Sequence, residues 1–366
     1  MKFIFLGLYN PIPINSGIDW YYVQLLNDLG RDNDVLYLHT VESKCDKGFI
    51  PENCLFSTKL LKSKVRWNLI SKKLEMLNPE FLFFNSNLKD FYADAIFCNA
   101  INFHIAKKLA KNLDIPIILI MVDVEWQYLK SNNSKLYPLM KVYEHYVMRH
   151  VNGIATISPH DYRYVKQSMT KNRIFYIPPK VDKDIFNPFG ISYDYGHDKL
   201  NLLFYGSLDR DQNISALDFI VHQLIPLLKE RGLMDEIRMN VFGSGDPKKI
   251  ASLISHDVNF IGTVENPGNY IRGADLVIVP VKNTGGFKIR ILESLACGKS
   301  VISAPEAVEG LPDNIKKFVA VGSNAEEFAV HIENILKCKD MPTSNFYEEF
   351  LKGDCVDDVL NLLIKG

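Results

Sequence analysis

The feature that most constrains this chain is a regular alternation of short, continuously apolar, β-rich runs with stretches of helical period. The runs fall at 2–8, 34–39, 80–85, 94–98, 115–121, 152–157 and 173–177; helix-period stretches near 17–30, 59–77, 101–113, 134–150 and 158–169 separate most of them. A strand that is apolar along its whole length is buried on both faces, which calls for a parallel sheet covered by helices on each side. Segment 178–199 breaks the rhythm with three prolines, two glycines and no period. The alternation then restarts, with strands near 200–206, 237–242, 257–261, 275–279, 300–303 and 317–321 and helices near 213–230, 247–255, 266–272, 287–297 and 323–338. The expected fold is α/β: two Rossmann-like, doubly wound parallel-sheet domains facing a cleft. Domain one spans 1–180, a linker 181–199 and domain two 200–342, while 343–366 supplies closing helices that pack back on the first domain. In such sheets ligands bind at the carboxyl ends of the strands.

Composition narrows the class. With 366 residues, 47% hydrophobic and 23% charged, the chain is neither disordered nor a collagen-like fibre nor a coiled-coil rod. Its longest apolar run, 115–122, is far short of the ~20 residues of a membrane span, and MKFIFLGL reads as a first buried strand rather than a cleaved signal. The six cysteines form no C-x-x-C pair and the histidines no H-x-x-x-H pair, so neither a metal site nor a disulfide framework is expected, and the location expected is cytoplasmic. Residues 1–180 hold 23 Lys+Arg against 16 Asp+Glu; residues 181–366 hold 19 against 27. The first half is thus suited to something anionic. Its densest basic stretch, 59–73, includes Trp67 and reads either as a contact for the inner face of an anionic membrane or as a solvated helix face. No nucleic-acid partner is expected.

Five loops could carry chemistry. In 284–299, TGGFKIRILESLACGK, Gly285 and Gly286 follow a strand and precede a helix, so backbone N–H groups could approach an anion there. Lys288 and Arg290 fall in the expected first turn, where the helix dipole disfavours cations unless a phosphate is bound. Arg290 and Glu293 share a sector away from the apolar face of Ile289, Leu292, Leu295 and Ala296; a surface ion pair is the plain alternative. In 202–213, LLFYGSLDRDQN, Gly206 and Ser207 end a strand and Arg210 could reach a phosphate, or the loop is ordinary with Asn213 as helix cap. VFGSG at 241–245 resembles half a dinucleotide fingerprint, with Lys248 where its third glycine belongs. In 10–17, NPIPINSG, Gly17 opens a helix without a side chain, or Ser16 caps it. Asp123 and Glu125 follow the buried strand 115–122, as cleft carboxylates or as helix caps.

The order of these motifs resembles the group 1 glycosyl transferases, the family 4-like retaining enzymes of GT-B fold. LLFYGSLDRDQNISALDFIVHQLIPLLKER, VFGSGDP, VNFIGTVEN, YIRGADLVIVPV and GGFKIRILESLACGKSVISAPEAVEGLP follow that family's order and spacing, and ATISPHDYRYV and IFYIPPKVDKDIFNP resemble its interdomain region. The likeness is specific over 151–312, loose over 1–150 and absent from the last 45 or so residues. It implies hexosyl transfer from a nucleotide diphosphate sugar, UDP- or GDP-linked, to a glycan or lipid-linked acceptor, as in polysaccharide or glycolipid biosynthesis, with retention and without a metal or other cofactor. It implies that Glu293 holds the ribose, that Arg290, Lys288 and the amides of Gly285, Gly286 and Phe287 face the diphosphate, and that Gly243 and Val264 lie by the base. Gly206, Ser207 and Arg210 would join them on the donor side. Gly17 would face donor phosphate and acceptor, and Asp123 would stand near the reacting carbon. Gly285 replaces the first of the family's paired glutamates, and Val122 its histidine. Two other readings stay open: a sugar-nucleotide epimerase of the same fold, and a non-catalytic nucleotide-sugar-binding partner of another transferase.

Overall fold

The computed structural model describes residues 1–7, 11, 17–39, 57–60, 91–131, 133–169, 173–253, 256–282 and 287–337. They form two compact units that divide between Pro178 and Pro179. The first holds strands β1 (Lys2–Gly7), β2 (Asp34–His39), β3 (Ser57–Leu60), β4 (Ala95–Cys98), β5 (Ile117–Met121), β6 (Gly153–Thr156) and β7 (Arg173–Tyr176). Its helices are α1 (Gly17–Gly30), α2 (Phe103–Leu113), α3 (Glu125–Ser131), α4 (Tyr137–Arg149) and α5 (Pro159–Ser168). Among the described residues the sheet runs β3-β2-β1-β4-β5-β6-β7, every pair parallel. The order reverses beside β1, as in a doubly wound sheet.

The apolar runs read as strands because both sheet faces are covered. Phe3 and Phe5 point to an aromatic layer, where Phe5 stacks on Tyr37 at 5.6 Å and on Phe97 at 6.0 Å. The alternate residues Ile4 and Leu6 enter the opposite layer with Leu119, Ile154, Phe103 and Val147. Among the described residues, 57–60 form the edge strand of this sheet, where the sequence pattern predicts a helix from 59; pairing with β2 overrides a helical period that is only local. The rest of that expected helix and of the basic stretch, the expected strand 80–85 and the closing helices 343–366 lie outside the described residues.

The second unit holds β8 (Leu200–Tyr205), β9 (Ile237–Phe242), β10 (Val258–Gly262), β11 (Leu276–Val279), β12 (Ser300–Ser303) and β13 (Val319–Val321). Their order is β10-β9-β8-β11-β12-β13, again all parallel. The helices are α6 (Asp211–Phe219), α7 (Ile225–Glu230), α8 (Pro247–Ile250), α9 (Pro267–Gly273), α10 (Ile289–Ala296), α11 (Pro305–Glu309), α12 (Asp313–Lys316) and α13 (Ala325–Lys337). A π-helical turn, Ile220–Leu224, joins α6 to α7 just before Pro226, whose ring nitrogen has no proton for the regular ladder.

The aperiodic segment after Pro178 is part of this second unit. Arg272 of α9, 7% exposed, donates to the carbonyls of Ile185 (2.9 Å), Asn187 (3.1 Å) and Ile191 (2.9 Å) and to Asn269 Oδ1 (2.6 Å). Gly268 lets the backbone come this close: a Cβ there would meet Ile185 O at 1.9 Å. A buried cation that satisfies three carbonyls of an irregular segment substitutes for the sheet partner the segment lacks. Arg272→Ala is therefore expected to lower the unfolding free energy of the second unit by about 3 kcal/mol, with Arg272→Lys recovering less than half. Urea unfolding measures it, and an unchanged midpoint would refute the anchoring role.

Candidate functional site

The carboxyl ends of β8, β9 and β10 are tied by their backbones. Gly206 N–H donates to Phe242 O (3.2 Å), Gly243 N–H to Gly262 O (2.9 Å) and Leu208 N–H to Ser244 O (2.6 Å). Gly243 has no room for a side chain, since a Cβ would lie 1.9 Å from Gly206 O. Gly206 has φ +146° and a Cβ on it would meet Arg290 Nη2 at 2.6 Å. The glycines at these strand ends thus serve the sheet edge as well as any ligand.

Arg290 enters this edge from α10. Its helix is buried nearly all round, through Ile289, Ile291, Leu292, Ser294, Leu295 and Ala296, which leaves Arg290 and Glu293 the remaining sector. The guanidinium sits over the rings of Phe204 (5.7 Å) and Tyr205 (6.0 Å). Its Nη2 donates to Asn213 Oδ1 (2.9 Å), and Asn213 Nδ2 donates to Ser207 O (2.7 Å). Its Nη1 is buried and has no hydrogen-bond partner among the described residues. Burial lowers the guanidinium from its ordinary value, while Tyr205 and Glu293 pull the other way. A desolvated cation with an N–H still to place is oriented for an anionic acceptor.

Glu293 is held by a residue the sequence reading passed over. The Tyr205 hydroxyl lies 2.9 Å from Arg290 O, 3.0 Å from Glu293 Oε2 and 3.2 Å from Ser294 Oγ, while Ser294 Oγ donates to Arg290 O (2.7 Å). A phenol has one proton, so with Ser294 already serving the carbonyl, Tyr205 directs its own to the carboxylate. Burial pushes the Glu293 carboxyl up to about 7, against the opposing pull of Tyr205 and Arg290. The Tyr205 hydroxyl is itself raised well above its ordinary value, by burial and then by Glu293. Arg290 and Glu293 are therefore not a solvated surface pair; they are fixed to β8 and α6 through Tyr205 and Asn213.

Several expectations change in detail. Helix α10 begins at Ile289, so Lys288 occupies the cap position rather than the first turn, and it has no side-chain cap bond there. Phe287 is buried beside it. Gly285 and Gly286 lie outside the described residues. Asn213 is not a cap: α6 starts at Asp211 with Arg210 before it, and Asn213 faces inward, 2% exposed. Arg210 is exposed, Ser207 is half-buried, and Val264 is half-buried just past β10; none of the three side chains bonds to Arg290 or Glu293. Glu306 in α11 lies past β12 on the same edge, with Oε2 buried and unpartnered among the described residues.

In the first unit, Asp123 follows β5 and is half-buried, and Gly17 opens α1 and is exposed. Tyr22 of α1 brings Asp123 and Asn99 together: burial pushes its hydroxyl up to about 12, while Asn99 bonds to it and the Asp123 charge acts on it. His104 of α2 lies against Tyr143 (5.8 Å) and Tyr146 (6.5 Å), and burial lowers its pKa.

Residues 199–338 match the family described as Glycosyl transferases group 1, so this stretch is similar to a domain of that family. No curated protein matches the sequence. Among solved structures, the chain resembles sucrose-phosphate synthase from Thermosynechococcus elongatus, with TM-score 0.76 and 15% identity over 100% of this chain and 99% of that one. It resembles Anabaena HepE in complex with UDP and glucose, with TM-score 0.68 and 14% identity over the whole of both chains. It also resembles WaaG, a glycosyltransferase involved in lipopolysaccharide biosynthesis, with TM-score 0.69 and 15% identity over the whole of both. At these identities the likeness shows the fold alone: two parallel-sheet α/β domains of the GT-B type.

The raised Glu293 carboxyl has a signed consequence for stability. A folded pKa above the ordinary value contributes stability that is fully present below about 4.5 and is lost as pH rises through about 7. Relative to wild type, Glu293→Gln should therefore gain stability as pH rises across this range, and Tyr205→Phe should move the transition to higher pH. Urea unfolding at stepped pH measures the difference; parallel wild-type and Gln curves would contradict it.

Proposed function

We propose that the protein moves a glycosyl group from a nucleotide diphosphate sugar, UDP- or GDP-linked, to a glycan or lipid-linked acceptor. The single observation that carries this reading is the buried Arg290 guanidinium. It stands at the carboxyl edge of a parallel sheet, with no partner for Nη1 among the described residues and Glu293 three residues on. The similarity of 199–338 to the group 1 glycosyl transferases supports it.

The chemical problem is the leaving group. When the anomeric carbon–oxygen bond breaks, negative charge collects on the nucleotide diphosphate and positive charge on the sugar ring. Arg290 meets the diphosphate charge from a dry setting, where a cation acts most strongly. Lys288 adds a second cation, and the uncapped start of α10 adds its dipole. Glu293, with Oε2 held by Tyr205, accepts from the ribose hydroxyls. Gly206, Ser207, Gly243 and Val264 line the approach of nucleotide and base. Asp123 and Gly17 act from the first unit, on the acceptor side. In this reading transfer retains configuration without a metal. The acceptor oxygen attacks from the side the phosphate leaves, its proton passes to the departing phosphate oxygen, and no protein nucleophile is used. The protein works in the cytoplasm, and the acceptor is presented at the inner face of a membrane.

Arg290→Gln should lower kcat by about 10²–10³, the cost of one electrostatic donor to the leaving group. Glu293→Gln should instead weaken donor binding by about tenfold, as expected for a hydrogen bond to a charged group. Steady-state kinetics in the presence of a chelator, with NMR of the anomeric product, tests both. Inverted product, dependence on added metal, or epimerised donor without acceptor would overturn the corresponding step.

A further inference from the structure

A second surface, independent of the sugar site, lies on the α3–α4 hairpin of the first unit. Helix α4 buries Glu144, Val147 and Met148 on one side. On the other, Leu139, Val142 and Tyr146 succeed each other at steps of three and four, which places them in one line along the helix. Leu139 and Val142 are 69% and 72% exposed, and Leu136, in the turn before α4, continues the line at 47%. Grouped aliphatic side chains left in water on one face mark a contact surface rather than scattered surface apolarity.

The charge on the hairpin is one-sided. From Glu125 to His150 the chain carries four basic residues, Lys130, Lys135, Lys141 and Arg149, against two acids, Glu125 and Glu144. Glu144 is 2% exposed, because its two oxygens accept the N–H groups of Glu125 (2.9 Å) and Trp126 (3.1 Å) at the start of α3. The hairpin therefore offers solvent four cations against one exposed acid, Glu125. Lys107 of α2 extends the basic rim, its Nζ donating to the Tyr146 hydroxyl at 3.1 Å.

We propose that this face docks the protein on an anionic phospholipid surface. An apolar line flanked by cations is what a helix lying in a headgroup layer presents: the aliphatic side chains enter the acyl boundary while the cations meet phosphate. A second copy of the chain fits poorly, because a symmetric contact would set the same cations against each other. The inference does not depend on glycosyl transfer.

Flotation of the full-length protein with phosphatidylcholine vesicles, with and without phosphatidylglycerol, tests it. Binding is expected only with phosphatidylglycerol and should fall as salt rises. Leu139→Asp combined with Val142→Asp should weaken it at least about tenfold, as buried acyl contact is lost. Lys135→Ala and Arg149→Ala should each weaken it about fivefold, the share of one cation near an anionic surface. All four positions are exposed, so thermal melting should match wild type. Three results would overturn the proposal: no flotation of wild type, equal flotation of wild type and the Asp double variant, or a wild-type dimer in solution that the Asp substitutions dissociate.

Discussion

Arg290 is a cation taken out of water, and the second unit is arranged around that fact. A guanidinium has five N–H donors, and desolvation without partners is costly. Asn213 takes one N–H, and the rings of Phe204 and Tyr205 lie under the charge. Gly206 stays without a side chain because any Cβ would press on Nη2. Three of these residues have a second tie: Asn213 to Ser207 O, Tyr205 to Glu293, Gly206 to Phe242 O. Removing one would release the cation from a fixed place rather than delete a single bond. That fixed direction is what a site for a developing anion requires, since reorienting dipoles during reaction would cost the energy they are meant to supply.

The same setting explains why the carboxylate beside the arginine is not simply paired with it. Burial raises Glu293 more than Tyr205 and Arg290 together lower it, so near neutrality the group titrates. An anion brought to Arg290 spends part of the charge that favours the Glu293 carboxylate.

The fold was largely legible, because burial on both faces removes the polar half of a strand's pattern and leaves an apolar run that few other structures produce. β4, β5, β6, β8 and β11 all read this way. What was lost has physical causes. Strand β3, STKL, is short and not apolar, and only its pairing with β2 makes it a strand. Helix α3 is too short for a period to register. At the site, the pairing of Arg290 with Glu293 was visible from their spacing on one helix. Tyr205 was not: an aromatic at the end of a strand looks like core until its hydroxyl is seen beside a carboxylate. Asn213 was read as a cap because Asn in a strand-to-helix loop usually is one, whereas here helix α6 starts two residues earlier and turns the amide inward.

The charge asymmetry separates the two units in a way that total charge alone would misread. Residues 181–366 carry 27 acids against 19 basic residues, yet this half holds the desolvated guanidinium of Arg290. Long-range attraction cannot be the means, for at physiological salt surface charges are screened within about 8 Å. Under the proposed reading, recognition in the second unit is local, from a desolvated guanidinium and a helix start that screening reaches least. Residues 1–180, with 23 basic residues against 16 acids, have the opposite character. On the α3–α4 hairpin the cations are exposed and outnumber the one exposed acid, Glu125, while Glu144 is turned inward to cap a helix. Exposed cations are weak one at a time, and they add up only against a partner that presents many anions in a plane. A small anion gains little from such a surface and much from a desolvated guanidinium, so the two proposals call on different kinds of positive charge.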